Sequence, residues 1–176
     1  DLYEGDHGEK LSVRQRNRDM RSGAEKDRGT SAVILIDEAS CVFYSRCAML
    51  EIECLGANAW SEKQIAKRSA LCSYLVAIED GEPIGICSFY TVSDEIQIIN
   101  IAVSPAFRKK GVASALLDKA LSSGLPASLE VSCLNHAAIA LYEKYRFKAV
   151  GKRKNFYRDS DALIMIKEAS DEHTCN

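Results

Sequence analysis

The sequence predicts an α/β (α+β) fold: a mixed, mostly antiparallel sheet with helices on both faces. Three observations carry this. Strand-like segments over 74–78, 84–91 and 95–103 are separated by Asp80-Gly81-Glu82-Pro83 and Ser93-Asp94, short enough for antiparallel hairpins. Over 111–123, Val112, Ala115, Leu116 and Ala120 fall near helical spacing, and Gly124 and Pro126 stop the pattern. Beyond it, strand-like and helix-like segments alternate to the end of the apolar sequence.

Each element has its own reason. Val33-Ile34-Leu35-Ile36 is a β-branched run and reads as a first strand. A helix is expected over 37–55, with Phe43, Cys47, Leu50 and Cys54 along one face and Gly56 ending it. Ser61-Glu62-Lys63-Gln64 is a capping-box pattern, which opens a second helix expected to reach Leu71. The three central strands follow, then the helix over 111–123. Residues 129–132 read as a strand, and Asn135 caps a fourth helix to about Tyr145. Segments 147–152 and 162–167 form a closing hairpin.

The ends differ from this body. Residues 1–31 hold 14 charged side chains, 7 of each sign, and too few apolar ones to offset the entropy of ordering. They are expected to be a disordered or marginally helical extension, followed by one domain over 32–170 and a short tail, 171–176. The arginines at 14, 16, 18 and 21 are balanced by acids, which favours a solvated segment over an RNA-binding one.

A net charge of −2 gives no global pull toward nucleic acid or membrane. No run approaches the ~20 apolar residues that span a bilayer. The seven cysteines are odd in number, form no C-x-x-C pair and sit mostly in apolar runs. That argues against a disulfide framework or a metal site, and for reduced thiols in the cytoplasm.

The chemistry-bearing stretch runs from Ile101 to Phe147. An apolar strand ending in Ile101-Ala102-Val103 breaks into Arg108-Lys109-Lys110-Gly111-Val112-Ala113-Ser114, which opens a helix. A helix N-terminus leaves its first N–H groups unpaired and carries partial positive charge, so an anion suits it. Three cations and a glycine without a Cβ fit a phosphorylated ligand. A plain solvated basic turn fits the same six residues equally well. The triphosphate-loop and Gly-x-Gly-x-x-Gly patterns are both absent.

This turn matches the Arg/Gln-x-x-Gly-x-Gly/Ala signature, and the chain from about Val33 to Glu168 resembles the GNAT superfamily of N-acetyltransferases. Trp60 to Lys63, Asn100 to Val103, Leu129 to Val131, Asn135 to Tyr142 and Arg153 to Tyr157 fall in the family's order. Together they are similar to the bacterial ribosomal-protein-alanine N-acetyltransferases. Ala59 departs from that subgroup, which usually has proline before the tryptophan, and the first thirty-odd residues have no counterpart.

The resemblance implies a GNAT-like sheet and acetyl-coenzyme A as co-substrate, with no metal. It implies that residues 108–114 hold the pyrophosphate, that backbone of Ile101, Ala102 and Val103 meets the amide arm and thioester, and that Asn135 bonds the pantetheine. Glu130 would be the general base, through an ordered water, and Tyr142 the acid that protonates the leaving thiolate. Trp60, Glu62 and Tyr157 would flank an incoming chain end. The implied acceptor is a protein N-terminus, the alanine of small-subunit ribosomal protein eighteen.

The residues by themselves leave alternatives. Between Leu129 and Val131, Glu130 is either a desolvated carboxylate or, by alternation, an outward-facing one. Tyr142 can be core, and Tyr157 a surface aromatic. The competing functions are acetylation of a small amine or lysine side chain, and a coenzyme-binding module without turnover.

Overall fold

The computed structural model describes residues 34–169, so the expected N-terminal extension and the short tail lie outside the described residues. Seven strands form one sheet: β1 (Leu35–Glu38), β2 (Ser73–Glu79), β3 (Glu82–Val92), β4 (Glu95–Val103), β5 (Ala127–Ser132), β6 (Lys148–Tyr157) and β7 (Ser160–Lys167). The spatial order is β1-β2-β3-β4-β5-β7-β6. Only β4 and β5 pair in parallel. The helices are α1 (Tyr44–Leu55), α2 (Glu62–Arg68), α3 (Val112–Ala120) and α4 (His136–Lys144).

The expected fold class holds, and the differences are local. The first strand runs to Glu38, so α1 begins at Tyr44 rather than 37. Asp37 and Glu38 pair with Val76 and Leu75 at the sheet edge, where charged side chains reach water. Gly56, at φ 55°, ends α1 and donates to the Ile52 carbonyl. The Ser61–Gln64 capping box forms, but α2 stops at Arg68. The two hairpin turns place Asp80 and Gly81 at φ 51° and 79°, and Ser93 and Asp94 at 50° and 60°. Both therefore have the doubly left-handed form that matches strand twist.

The sheet carries a core on each face. On one side α3 and α4 cover Leu75, Cys87, Ile96, Ile98, Leu129, Val131 and Met165. On the other, α1 and α2 cover Tyr74, Val76, Ile86 and Ala102. Gly85 sets how closely α3 lies on β3: a Cβ there would stand 2.9 Å from Val112 Cγ1 and 3.3 Å from the Ala102 carbonyl oxygen. The bare backbone thus brings the start of α3 against the end of β4.

Candidate active site

Two irregularities in β4 shape the site. Ser88 pairs with Asn100 and Phe89 with Ile98, so Ile99 is an extra, bulged residue. The bulge reverses the alternation. Ile96 and Ile98 face the α3/α4 core, and so do Ile101 and Val103, while Ile99 and Ala102 face α1/α2. In addition, the β4–β5 ladder runs only through Ile96↔Ala127, Gln97↔Ser128 and Ile98↔Leu129. From Ile99 onward the strands part, and the β5 side of Ile99 to Val103 has no ladder partner. The Val103 carbonyl is engaged elsewhere, accepting from Arg108 Nε at 3.1 Å and from the Cys54 thiol at 3.4 Å.

The cationic turn lies at the end of this gap. Gly111 is the N-cap of α3 at φ 85°, with open space where a Cβ would stand. The first bond of the helix is Ala115 N–H to Gly111 O. The N–H groups of Val112, Ala113 and Ser114 precede it and have no intrahelical acceptor. Arg108, Lys109 and Lys110 are exposed around them, and Lys110 Nζ rests 4.8 Å from the centre of the Phe107 ring. Tyr145 ties α4 to this helix through the Ser114 carbonyl at 2.9 Å and Asp118 at 2.8 Å. The cradle fits the diphosphate of a coenzyme: unpaired donors, positive charge and room share one helix end.

Glu130 and Tyr142 lie on opposite faces of the sheet. In β5 the buried positions are Ala127, Leu129 and Val131, so Glu130 lies on the α1/α2 face. Its carboxylate accepts from Arg153 Nη1 at 3.1 Å, and its side chain is 32% exposed. The desolvated carboxylate envisaged from its apolar neighbours is therefore corrected to an ion-paired, partly open one. Alternation turned it away from the core, and the cation comes from β6, 23 residues on.

Tyr142 is 5% exposed on the α3/α4 side, edge-on to Phe147 with ring centres 5.7 Å apart. Burial drives its phenol well above the ordinary value, and Cys87 and Tyr157 add to the shift. It therefore holds its proton throughout the neutral range. Tyr157 donates from its hydroxyl to the Glu130 carbonyl at 3.1 Å, and burial, then Glu130, raises its phenol too. Phe156 stands edge-on to Tyr157 and carries Arg153 4.5 Å above its ring.

The other expected residues are more dispersed. Asn135 caps α4, its Oδ1 accepting from Ala138 N–H at 3.1 Å, and the exposed amide nitrogen remains available to donate. Glu62 is exposed in the first turn of α2. Trp60 is corrected from an entrance residue to a core residue: it is 8% exposed, with its ring 6.3 Å from Tyr74 and Arg68 4.3 Å above it. What holds it is a residue the sequence reading missed. Fully buried Glu51 accepts from Trp60 N–H at 2.5 Å and from the Tyr74 hydroxyl at 2.8 Å. Burial raises its carboxyl above the ordinary value although both hydrogen bonds and Arg68 oppose the shift. Glu51 pins the α1–α2 connection over the sheet. A glutamate on an otherwise apolar helix face was the available signal.

Residues 34–147 match the family model described as the acetyltransferase (GNAT) family. The chain belongs to that family. Over 117 residues it is 34% identical to the [ribosomal protein bS18]-alanine N-acetyltransferase of Escherichia coli, covering 60% of this chain and 78% of that one. A Bacillus subtilis protein carrying the same designation provisionally is 39% identical over 99 residues, covering 52% of this chain and 66% of the relative. The match thus spans just under two thirds of the Bacillus protein. The crystal structure of the Escherichia coli ribosomal-protein-S18-alanine N-acetyltransferase superposes with a TM-score of 0.71 at 28% identity, covering 82% of this chain and 99% of that one. The chain thus has the GNAT fold, and the acetyltransferases of this family use acetyl-coenzyme A.

Proposed function

We propose that this GNAT domain, residues 32–170, transfers the acetyl group of acetyl-coenzyme A to the N-terminal α-amine of a protein, the alanine of ribosomal protein bS18. The observation that carries the reading is the disposition of Glu130 and Tyr142 on opposite faces of the sheet, at a gap that ends in the Gly111 cradle. An acceptor on the α1/α2 face and a leaving sulfur on the α3/α4 face would then each meet a proton-handling side chain. The likeness to the Escherichia coli enzyme supports the choice of acceptor.

In this reading Arg108, Lys109, Lys110, Gly111, Val112, Ala113 and Ser114 hold the pyrophosphate, and Asn135 donates to the pantetheine arm. Freed backbone N–H groups among Ile101, Ala102 and Val103 polarise the thioester carbonyl. The bound coenzyme supplies an activated acyl carbon. The α-amine nitrogen forms the new bond to that carbon as the carbon–sulfur bond breaks. Glu130 takes the amine proton through a water, and Tyr142 gives its own to the sulfur. Arg153 holds the Glu130 carboxylate in place, and Glu62 and Tyr157 flank the acceptor. A cytoplasmic setting agrees with six free cysteines and with no helix long enough to cross a membrane among the described residues.

The test is mass spectrometry after incubation with acetyl-coenzyme A and three acceptors: an alanine-starting bS18 peptide, an N-blocked lysine peptide and a polyamine. The expected product is a single acetyl group on the alanine α-amine. Acetylation confined to lysine or polyamine would move the protein to the small-amine or side-chain class. No product at all would leave a coenzyme-binding module.

A further inference from the structure

Ser88 lies in the middle of β3 with no exposed surface, and its hydroxyl has no hydrogen-bond partner among the described residues. No other buried side-chain oxygen or nitrogen described here lacks one. Buried hydroxyls without partners are destabilising, and the few that native proteins keep call for an explanation.

The position of Ser88 supplies one. The ladders pair it with Tyr74 on β2 and Asn100 on β4, so the three side chains share the α1/α2 face. Directly opposed residues lie about 5 Å apart at Cβ. Tyr74 is committed to Glu51, which leaves Asn100 as the near polar neighbour across the ladder. Asn100 reaches this face because Ile99 bulges between it and Ile98. It also stands on the rim of the gap, two residues past the last β4–β5 pair. Glu130, one residue past that pair, occupies the opposite rim on the same face. Asn100 and Glu130 thus stand on the two rims of the opening, with the Ser88 hydroxyl buried behind Asn100 on the same face. A buried water makes about three hydrogen bonds. A hydroxyl and a carboxamide can supply two and leave the third directed at the gap.

We propose that Ser88 and Asn100 are positioning residues that hold the water through which Glu130 takes the proton of the attacking amine. This rests on the N-acetyltransfer reading above. The other ionisable groups on this side include Arg153 and Tyr157 from β6, Glu51, Cys47, Cys54 and Tyr44 from α1, Tyr74 from β2 and Arg68 from α2. Arg153 and Tyr157 engage Glu130, Glu51 engages Tyr74 and Trp60, Arg68 lies over Trp60, the Cys54 thiol donates to the Val103 carbonyl and Tyr44 bonds Ser69.

Ser88→Ala tests the idea because it removes a hydroxyl that makes no bond within the described residues, which separates stability from rate. The thermal midpoint should not fall, while losing a held water lowers the rate. We expect a midpoint no lower than the wild type, unchanged acetyl-coenzyme A affinity and kcat/KM on the alanine peptide about tenfold lower at neutral pH. The deficit should close as pH passes about 7.7 to 8.0, where the α-amine arrives already neutral. Asn100→Ala and Glu130→Gln should recover along the same profile. Three results would each overturn the proposal: wild-type kcat/KM at every pH, a loss that does not vary with pH, or a lowered midpoint, which would mean the hydroxyl is bonded within the fold. If the wild type acetylates a different amine, the profile is run on that amine and its own pKa sets the crossover. If it acetylates none, the functional reading fails separately. A high-resolution crystal structure then decides the positioning pair by the presence or absence of a water bonded to both Ser88 Oγ and Asn100.

Discussion

Gly85→Ala puts a methyl group where β3 and α3 meet, and the structure sets its size. The new carbon would stand 2.9 Å from Val112 Cγ1, 3.2 Å from Leu116 Cδ1 and 3.3 Å from the Ala102 carbonyl oxygen. Carbon pairs prefer about 3.5 to 4.0 Å, so the helix must retreat by roughly 0.6 to 1 Å. Val112 and Leu116 are both fully packed and cannot swing aside. Overpacking of this kind costs about 1 to 3 kcal/mol. At about 3 °C per kcal/mol for a domain of this size, the melting midpoint should fall by roughly 3 to 9 °C. The retreat also carries the α3 N-terminus away from the end of β4. Coenzyme affinity, read by titration calorimetry, should therefore fall about tenfold in protein that is still folded. Val112→Ala removes the shortest contact, so the double variant should bind coenzyme better than Gly85→Ala alone. If Gly85→Ala melts and binds like the wild type, or the double variant shows no recovery, the close approach of α3 does not set the cradle.

Three further outcomes follow from the same geometry. Gly111→Asp places a carboxylate into open space at the helix N-terminus, so the fold should survive a left-handed penalty of about 1 to 2 kcal/mol; calorimetry should show coenzyme affinity more than about tenfold weaker. Tyr142→Phe keeps the ring packed on Phe147 and removes only the hydroxyl; kcat should drop roughly 10²-fold with little change in melting, and wild-type turnover would make Tyr142 a core residue alone. Burial pushes the thiols of Cys87 and Cys47 up to about 12 from an ordinary 9.0, with Glu51 adding to the latter. A raised folded-state pKa stabilises fully below the unfolded value and is lost as pH climbs toward the folded one. Stability against urea should therefore fall between about pH 9 and 12, by up to about 1.4 kcal/mol per pH unit for each thiol. Cys87→Ala should flatten that slope relative to wild type, although Tyr74 and Tyr142 retain their own share above pH 10.

Local rules made much of the fold legible. Asp80-Gly81 and Ser93-Asp94 mark the central hairpins, Gly111 opens α3, and Asn135 and the Ser61–Gln64 pair cap their helices as read. The misses are long-range. Ile96 to Val103 is mostly apolar with Gln97 and Asn100 set into it, and nothing in its composition marks Ile99 as the bulged residue. Glu130 alternates outward as period two allows, but its partner Arg153 is placed by a hairpin 23 residues away. Trp60 looked like a binding residue by its motif, yet Glu51 and Tyr74 draw it into the core. Gly85 carried a readable sign, a glycine inside a strand, whose meaning depended on Val112 arriving from another element.

The short splice between β4 and β5 makes the ligand an architectural component. Three residue pairs join two half-sheets, one carrying the acceptor-side helices and the other ending in the Arg153 hairpin. Mechanically this is a seam whose last paired residues are Ile98 and Leu129. A coenzyme lying in it would act as a missing strand and stiffen the joint. Releasing the spent coenzyme means unzipping that same joint, so grip on the donor and speed of turnover are set against each other by one stretch of backbone.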